Sequence, residues 1–503
     1  MSEELQQTYD EIPYQSFPFA QSHPDRLATL GWLFGMDPAP VDRCRVLEVG
    51  CASGGNLIPM AATLPNCEFV GIDFSPVQIE RGQADVAALG LSNIRLLPMD
   101  IMDFSAEVGS FDYIIAHGVY SWVPTAVQER LFAICGRQLS PAGIAYVSYN
   151  ALPGWRMRSV VRDAMTYHTR GITDPRMRVA QARAMLDFLA ESVAGDSSAY
   201  GNTLRTEAEH LRTKRDDYIL HDHLELVNEP EYFYQFIERA AGHGLAYLGE
   251  SDFTKMLGRE FGPQVAQTLA RIAPDVLRRE QFMDFLRART FRETLLVRRE
   301  VTLTRKVSPL RVMSLRVSSK ARPQRENPDL QSDAVELFQT PEANRLTTAS
   351  RITKAAVMVL GEHWPMALAF DDLYTRARAL LAAPDASMEE ERRQLASDIL
   401  QCYGAGVVEL HHTPSPFVID VGERPEASAV ARLHAQRGPV ATNLRHENGA
   451  INEDTRRAFL LLDGTRTRRE LAATLWPGRP EAESIRDLDA GLAQLARLAL
   501  LVR

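Results

Sequence analysis

Residues 45–56 read Arg-Val-Leu-Glu-Val-Gly-Cys-Ala-Ser-Gly-Gly-Asn, an apolar run that breaks into a turn of small residues. Arg45–Val49 has the near-continuous apolar character of a buried strand, Gly50–Gly55 suits a tight turn, and Asn56–Thr63 reads as a helix start. Working outward, Glu68–Ile72 is a second strand ended by Asp73, and Pro76–Leu89 is a helix with Gly90 as its expected C-cap. Ile94–Pro98 and Phe111–Ala116 are the third and fourth strands. Thr125–Leu139 is a helix stopped by the turn Ser140-Pro141-Ala142-Gly143, and Ile144–Tyr149 is a fifth strand. Alternating strands and helices predict an α/β fold with a parallel sheet covered on both faces.

The alternation then stops. Residues 156–224 read as a helical insertion with no strand. A helix beginning at Pro230 is followed by a strand at Leu245–Gly249, a helical block over Asp252–Arg289, and a last strand at Phe291–Arg298. This pattern predicts a sheet begun in residues 1–155 and completed late, in 225–300. Residues 301–340 read as a linker with strand pieces. Residues 341–503 read as a mainly helical region. It ends in a unit from about Arg437 whose short helices, Asp463-Gly464 turn and terminal Leu-Leu-Val-Arg suggest a winged helix.

The 503 residues carry a net charge of −9 with 45% hydrophobic and 24% charged residues, which excludes wholesale disorder and fibrous structure. The polar, acidic start Met1–Gln15 has no signal-peptide character, and no apolar run approaches the roughly 18 residues of a membrane span. Five cysteines, none in a CxxC pair, argue against a disulfide framework or a cysteine zinc site, so a cytoplasmic location is expected. The charge is uneven. Residues 255–325 hold 17 Lys and Arg against six Asp and Glu, a +11 belt within a −20 remainder. Without aromatic interleaving the belt reads as a solvated helix face and connector, and nucleic-acid binding is not expected.

Chemistry concentrates at the strand ends. Gly50, Cys51, Ala52 and Gly54 let the backbone approach a ligand at the carboxyl end of the sheet, where open α/β sheets bind theirs. Glu48 precedes the turn, where a carboxylate suits a cationic amine and would repel a phosphate. Asp73 follows the second strand at the offset of an acid that takes ribose hydroxyls, and Asp100 follows the third, placed for an adenine amine. Three acids and no Lys or Arg in the turn fit an adenosine ligand that is cationic and lacks phosphate; S-adenosylmethionine matches. Asn56, Phe74 and Ile101 complete the expected cofactor set, and Tyr14 is expected as a lid over it.

This arrangement resembles the class I S-adenosylmethionine-dependent methyltransferases, whose first motif is E/D-x-G-x-G-x-G. Ala52 stands at the middle glycine. The N-terminal YDEIPYQSFPFAQSHPDRLATLGWLFG, the turn EVGCASGGNLIPMA, HGVYSWVP (His117–Pro124), VSYNALPGW (Val147–Trp155) and HDHLELVNEPEYFYQFIERAAGHGLAYLGES (His221–Ser251) together resemble one subfamily. It is the bacterial methyltransferases with a regulatory domain, which include rickettsial outer-membrane-protein lysine methyltransferases. The resemblance covers about residues 1–300 and implies a Rossmann-like seven-stranded sheet with an antiparallel last strand, besides the winged-helix-like C-terminal module. On that basis the regulatory segment is expected to be largely the end of the methyltransferase sheet.

Methyl transfer to an amine requires positioning and a neutral nucleophile. His117, Tyr120 and Asn150 are the expected catalytic residues: a proton acceptor, an aromatic wall for an alkylammonium, and an amide that orients the nucleophile. Trp122, Tyr149 and Trp155 stand beside them. His221 and His223 with Glu225 have too few partners for a metal site, so no metal is expected, and a role in the substrate pocket is the next reading. His411-His412 reads as an exposed loop pair. The function expected is methylation of a protein or peptide, plausibly at lysine nitrogen. Alternatives are a small-molecule N- or O-methyltransferase and a cofactor-sensing binding protein. A homodimer through the helical insertion is also an expectation.

Overall fold

The structure, a computed structural model, describes residues 16–225, 227–382 and 387–503. Seven strands form one sheet: β1 (Arg45–Val49), β2 (Glu68–Asp73), β3 (Ile94–Pro98), β4 (Phe111–Ala116), β5 (Leu139–Asn150), β6 (Leu245–Glu250) and β7 (Phe291–Arg298). Their order is β3-β2-β1-β4-β5-β7-β6; β1 to β5 are parallel, and β7 runs antiparallel to both β5 and β6. Val46, Leu47, Ile114, Ala145 and Val147 are wholly buried, as expected of strands covered on both faces. The order follows from where the chain can cross. Three of the four parallel pairings, β1–β2, β2–β3 and β4–β5, are joined by a helix, such as Pro76–Leu89, which starts on the Ser75 cap with Pro76 and ends on Gly90 at φ 64°.

One expectation shifts here. Ser140–Gly143 is not a free turn but a bulge inside β5, since Leu139 pairs with Phe111 and Ile144 pairs with Tyr113.

The helices Trp155–His168, Pro175–Ser192 and Ala199–Arg212 form the insertion after β5, packed around their own small core of Val161, Met165, Leu186, Leu204 and Leu211. They return to the sheet through a wide π-helical turn, Ile219–His223.

Residues 301–340 are more than a linker. Arg316–Ser318 is the central strand of a small sheet flanked by Leu368–Ala369 and Glu409–His411, and Val312, Leu315, Val317 and Phe338 are buried. With the helices Arg351–His363, Phe370–Ala379 and Met388–Gly404, this unit shares one apolar core with the face of the large sheet that carries Val46, Phe69, Tyr146 and Leu295. His411 and His412 are half-buried rather than an exposed pair: His411 Nδ1 lies 3.0 Å from Asp25, and the backbone N–H of His412 donates to the same carboxylate. Asp25 and Glu409 hold the His411 imidazole up at about 9 against its burial.

The last unit begins earlier than Arg437, at the helix Ala429–Arg437. A hairpin, Val440–Thr442 with Asn448–Ala450, and the helices Glu453–Phe459, Arg468–Leu475 and Glu481–Arg497 follow. These elements enclose a separate core that includes Phe459, Leu471 and Leu488.

Most of the basic belt is exposed, as a solvated face requires, but two of its arginines, Arg289 and Arg292, are buried. Arg292, fully buried on β7, bonds Glu250, Glu280 and Asp284 and lies 4.0 Å from the Phe233 ring. Arg289 also bonds Glu250, while Arg305 and Arg311 donate to backbone carbonyls of Leu248 and Trp32. A charge count cannot distinguish Arg289 and Arg292 from a solvated face, because what buries them is tertiary packing, which brings β6, with Glu250, and the helix Val276–Arg287 before β7, with Glu280 and Asp284, around them.

Candidate functional site

The carboxyl ends of the parallel strands open into one cavity of about 430 Å³. Following the sheet order, Asp100 and Ile101 stand after β3, Asp73 and Phe74 after β2, Glu48, Gly50, Cys51 and Ala52 at the end of β1, and His117 after β4. Asn150 at the end of β5 and its register partner Phe291 on β7 line the far side. The sheet therefore spreads the lining over two halves.

The turn after β1 works as the sequence suggests, for reasons that can be named. Gly50 has φ 72°, and a Cβ there would sit 2.4 Å from Val119 Cγ2. Ala52 adopts φ 47°, the left-handed conformation that makes glycine the easier residue at this position. Its N–H donates to Asp73 Oδ2 at 2.8 Å, and Asp73 Oδ1 accepts from Ser75 N at 2.9 Å. Asp73 thus ties the ends of β1 and β2 together as well as facing the cavity. Asp100 caps the turn after β3 by accepting from Met102 N. Gly54 shapes the turn without lining the cavity, its Cα packed towards Ile58 and Leu96.

Glu48 is 3% exposed. Its Oε1 accepts from Asn56 Nδ2 at 2.8 Å, while its Oε2 is buried without a hydrogen-bond partner. Desolvation pushes its carboxyl up to about 8. An orphaned, desolvated carboxylate oxygen at a cavity wall is a fit for a cationic group. Asn56 is less a ligand contact than a junction: its Oδ1 accepts from Phe19 N and, at 2.7 Å, from His446 Nε2 of the C-terminal unit.

The N-terminal segment closes one side. Ser16 Oγ accepts from Gly55 N, and the Phe19 ring stacks on His117 at 3.6 Å. Tyr14, expected as a lid, lies outside the described residues.

The expected catalytic residues separate. His117 lines the cavity, but it stacks between Phe19 and Tyr146, and its Nδ1 lies 2.8 Å from the Tyr146 hydroxyl, which donates to Glu293. Burial lowers its pKa to about 3, too weak a base to take a proton from an ammonium near neutral pH. Its surroundings suit a cavity wall. Tyr120 is fully buried among Phe132, Tyr149 and Phe236, its hydroxyl donating to Glu231 at 2.7 Å, and does not reach the cavity. Tyr149 stacks on Phe236 at 4.0 Å in the same core. Asn150 does line the cavity, held by Ser121 at its N–H and by Asn228 at its amide. Trp122 and Trp155 line it beside Asn150, edge to face at 6.2 Å.

The insertion supplies residues that the sequence does not place at the site, His221 excepted, for which a substrate-pocket role is the second reading. Arg158, Tyr218, His221 and Asp222 face the far half of the cavity. The His-Asp-His spacing was the only signal, and it pointed first at a metal question. His223 turns away, fully buried near the rings of Trp155 and Tyr218, and His221 Nδ1 lies 3.3 Å from Glu225. Among the described residues no group of three or more His, Cys, Asp or Glu side chains is placed to hold a metal.

A sheet of this order, with a small-residue turn after β1 and acids at the carboxyl ends of β1 and β2 and just after β3, defines the class I S-adenosylmethionine-dependent methyltransferases. Three family models match: a methyltransferase domain over residues 46–143, a predicted methyltransferase regulatory domain over 215–298, and the PKMT C-terminal winged helix domain over 423–483. The uncharacterized protein RP789 of Rickettsia prowazekii is 35% identical over 467 residues, covering 91% of this chain and 83% of that one. PKMT2 from Rickettsia typhi superposes with a TM-score of 0.86 at 28% identity, covering 98% of this chain and all of that one; its complex with AdoHcy gives 0.87. The chain belongs to the family of S-adenosylmethionine-dependent methyltransferases that join a regulatory domain and a PKMT winged helix to the class I core. The regulatory match contains β6 and β7, so that segment does complete the sheet. No helix among the described residues is long and apolar enough to cross a membrane.

Proposed function

We propose that this methyltransferase acts on the side-chain nitrogen of lysine in a protein or peptide. The observation that carries the reading is the likeness to PKMT2 along nearly the whole chain, helical insertion and both C-terminal units included. A cavity whose far half is lined by Trp122, Asn150, Trp155 and Phe291 adds support, since such a surface suits an alkyl chain ending in an amine.

In this reading Glu48 meets the amino group of S-adenosylmethionine, Asp73 its ribose hydroxyls and Asp100, with Phe74 and Ile101, its adenine. When bound, the cofactor supplies an electrophilic methyl group on a positively charged sulfur. The protein contributes position and exclusion of water: Phe19 and His117 wall the middle of the cavity, and Asn150 orients the acceptor. Radiolabelled methyl transfer into lysate fractionated by size tests the proposal. Alkali-stable label in polypeptide is the expected result. Label confined to small molecules would replace it with a small-molecule methyltransferase, and no label with a cofactor-sensing binding protein.

A further inference from the structure

The acceptor half of the cavity contains an acid that nothing so far described employs. Asp222 sits on the π-helical turn Ile219–His223, lines the cavity, and has its Oδ2 atom buried without a hydrogen-bond partner. Wide turns of this kind aim side chains that a regular helix would turn away, and they recur at functional sites. The cations nearby do not pair with it. Arg158 lies 3.6 Å from Glu207 and over the Trp155 ring, and Lys214 lies over the Tyr218 ring. A buried carboxylate oxygen without a partner is costly unless a ligand completes it.

We propose that Asp222 is the residue that receives the acceptor amine: its carboxylate pairs with the incoming ammonium and takes one of its protons. Trp122, Trp155 and Tyr218 line the approach for the alkyl chain. The proton leaves nitrogen for a carboxylate oxygen, giving a neutral amine with a free lone pair and a neutral carboxylic acid, which later yields the proton to water. His117, walled in by rings, is then not needed as a base.

Placement on the sheet supports this assignment. The three cofactor acids stand at β1, β2 and β3, whereas Asp222 shares the cavity with residues of β5 and β7, beyond the β4 end. Electrostatics agrees. Desolvation raises the Asp222 carboxyl to about 7 despite the opposing pull of His221, Arg158 and Lys214, with Asp217 adding to the rise. A carboxyl in that range exchanges protons near neutral pH, and a pairing cation would favour its ionised form.

The inference rests on the acceptor being an amine, and so on the proposed function, but its test is independent of any protein substrate. The probe is n-butylammonium, the end of a lysine side chain, titrated by calorimetry into the full-length enzyme saturated with AdoHcy. The wild type should bind it, and Asp222→Asn should weaken that binding at least tenfold while AdoHcy affinity stays within twofold, which also reports that the variant is folded. Asp222→Glu should recover part of the loss. Equal butylammonium affinity in wild type and Asp222→Asn, or no binding by the wild type, would overturn the assignment. If Asp222→Asn loses AdoHcy affinity as well, Asp222 acts through the fold and the assignment is again overturned. Binding lost as expected in an enzyme that labels no polypeptide would instead remove the lysine reading and leave Asp222 as an amine receptor.

Discussion

Raising the pH from 6 to 7 should tighten AdoHcy binding about tenfold, and Glu48→Gln should remove that dependence. The magnitude comes from the burial of Glu48, whose carboxyl is pushed up to about 8 with one oxygen unpartnered. Pairing with the ligand's ammonium requires the carboxylate. Ionising it costs about 1.4 kcal/mol at pH 7 and about 2.7 kcal/mol at pH 6, from 1.36 kcal/mol per pH unit below the pKa. The difference is one factor of ten in affinity. The ligand's amino group, with an ordinary pKa of about 7.7–8.0, stays charged across this range and adds no opposing slope. Calorimetry in buffers of different ionisation enthalpy measures both affinity and proton count. About 0.9 proton should leave on binding at pH 7, since only about one-eleventh of the free sites are ionised there. Affinity that is flat between pH 6 and 7, with no proton released, would refute the placement of Glu48 against the amine. The same group acts on stability with a fixed sign. Its folded pKa lies above the ordinary 4.5, so the unliganded protein loses stability as pH rises from 4.5 through 8. Glu48→Gln should therefore be the more stable chain at pH 8.

Replacing Arg292 by Met should destabilise the protein by about 3–5 kcal/mol in denaturant unfolding, because Glu280 would be left buried without its cation and Glu250 and Asp284 with Arg289 alone; a change under 1 kcal/mol would show that water reaches them. His446→Ala removes the bond from the C-terminal unit to Asn56, which orients Glu48. AdoHcy affinity should fall about fivefold, near the 1 kcal/mol of one hydrogen bond; unchanged affinity would mean that Phe19 N, which donates to Asn56, and Ser22 Oγ, which accepts from it at 3.0 Å, hold its amide unaided. Gly50→Ala should weaken AdoHcy binding more than tenfold, since its Cβ would meet Val119 Cγ2 at 2.4 Å. Adding Val119→Ala should restore part of the affinity by removing the clash while leaving the strain of a positive φ. No rescue would mean that the backbone strain, rather than the contact, dominates.

Local patterns in the sequence were enough for the catalytic sheet. Strands buried on both faces need continuous apolar runs, and the turn after β1 needs residues that tolerate positive φ, so Arg45–Gly55, the acids Asp73 and Asp100, and the late strands Leu245–Glu250 and Phe291–Arg298 were all legible. Residues whose meaning depends on remote neighbours were not. Tyr120 and His117 stand three residues apart in the same loop; the first belongs to an aromatic core and the second to the cavity wall, a division set by Phe132, Phe236 and Phe19. Most arginines of residues 255–325 do lie at the surface, but β6 and the helix before β7 bring Glu250, Glu280 and Asp284 around Arg292, which a charge count cannot show. Asp222 sits over a hundred residues from the turn at Gly50, and only the return of the helical insertion to the sheet puts both on one cavity. The sequence by itself determined which segments are strands and where a cofactor can lie, because those depend on period and local backbone freedom. Tertiary structure alone decided which charges are buried, which aromatics are core, and what faces the acceptor, because burial and pairing are properties of distant segments brought together.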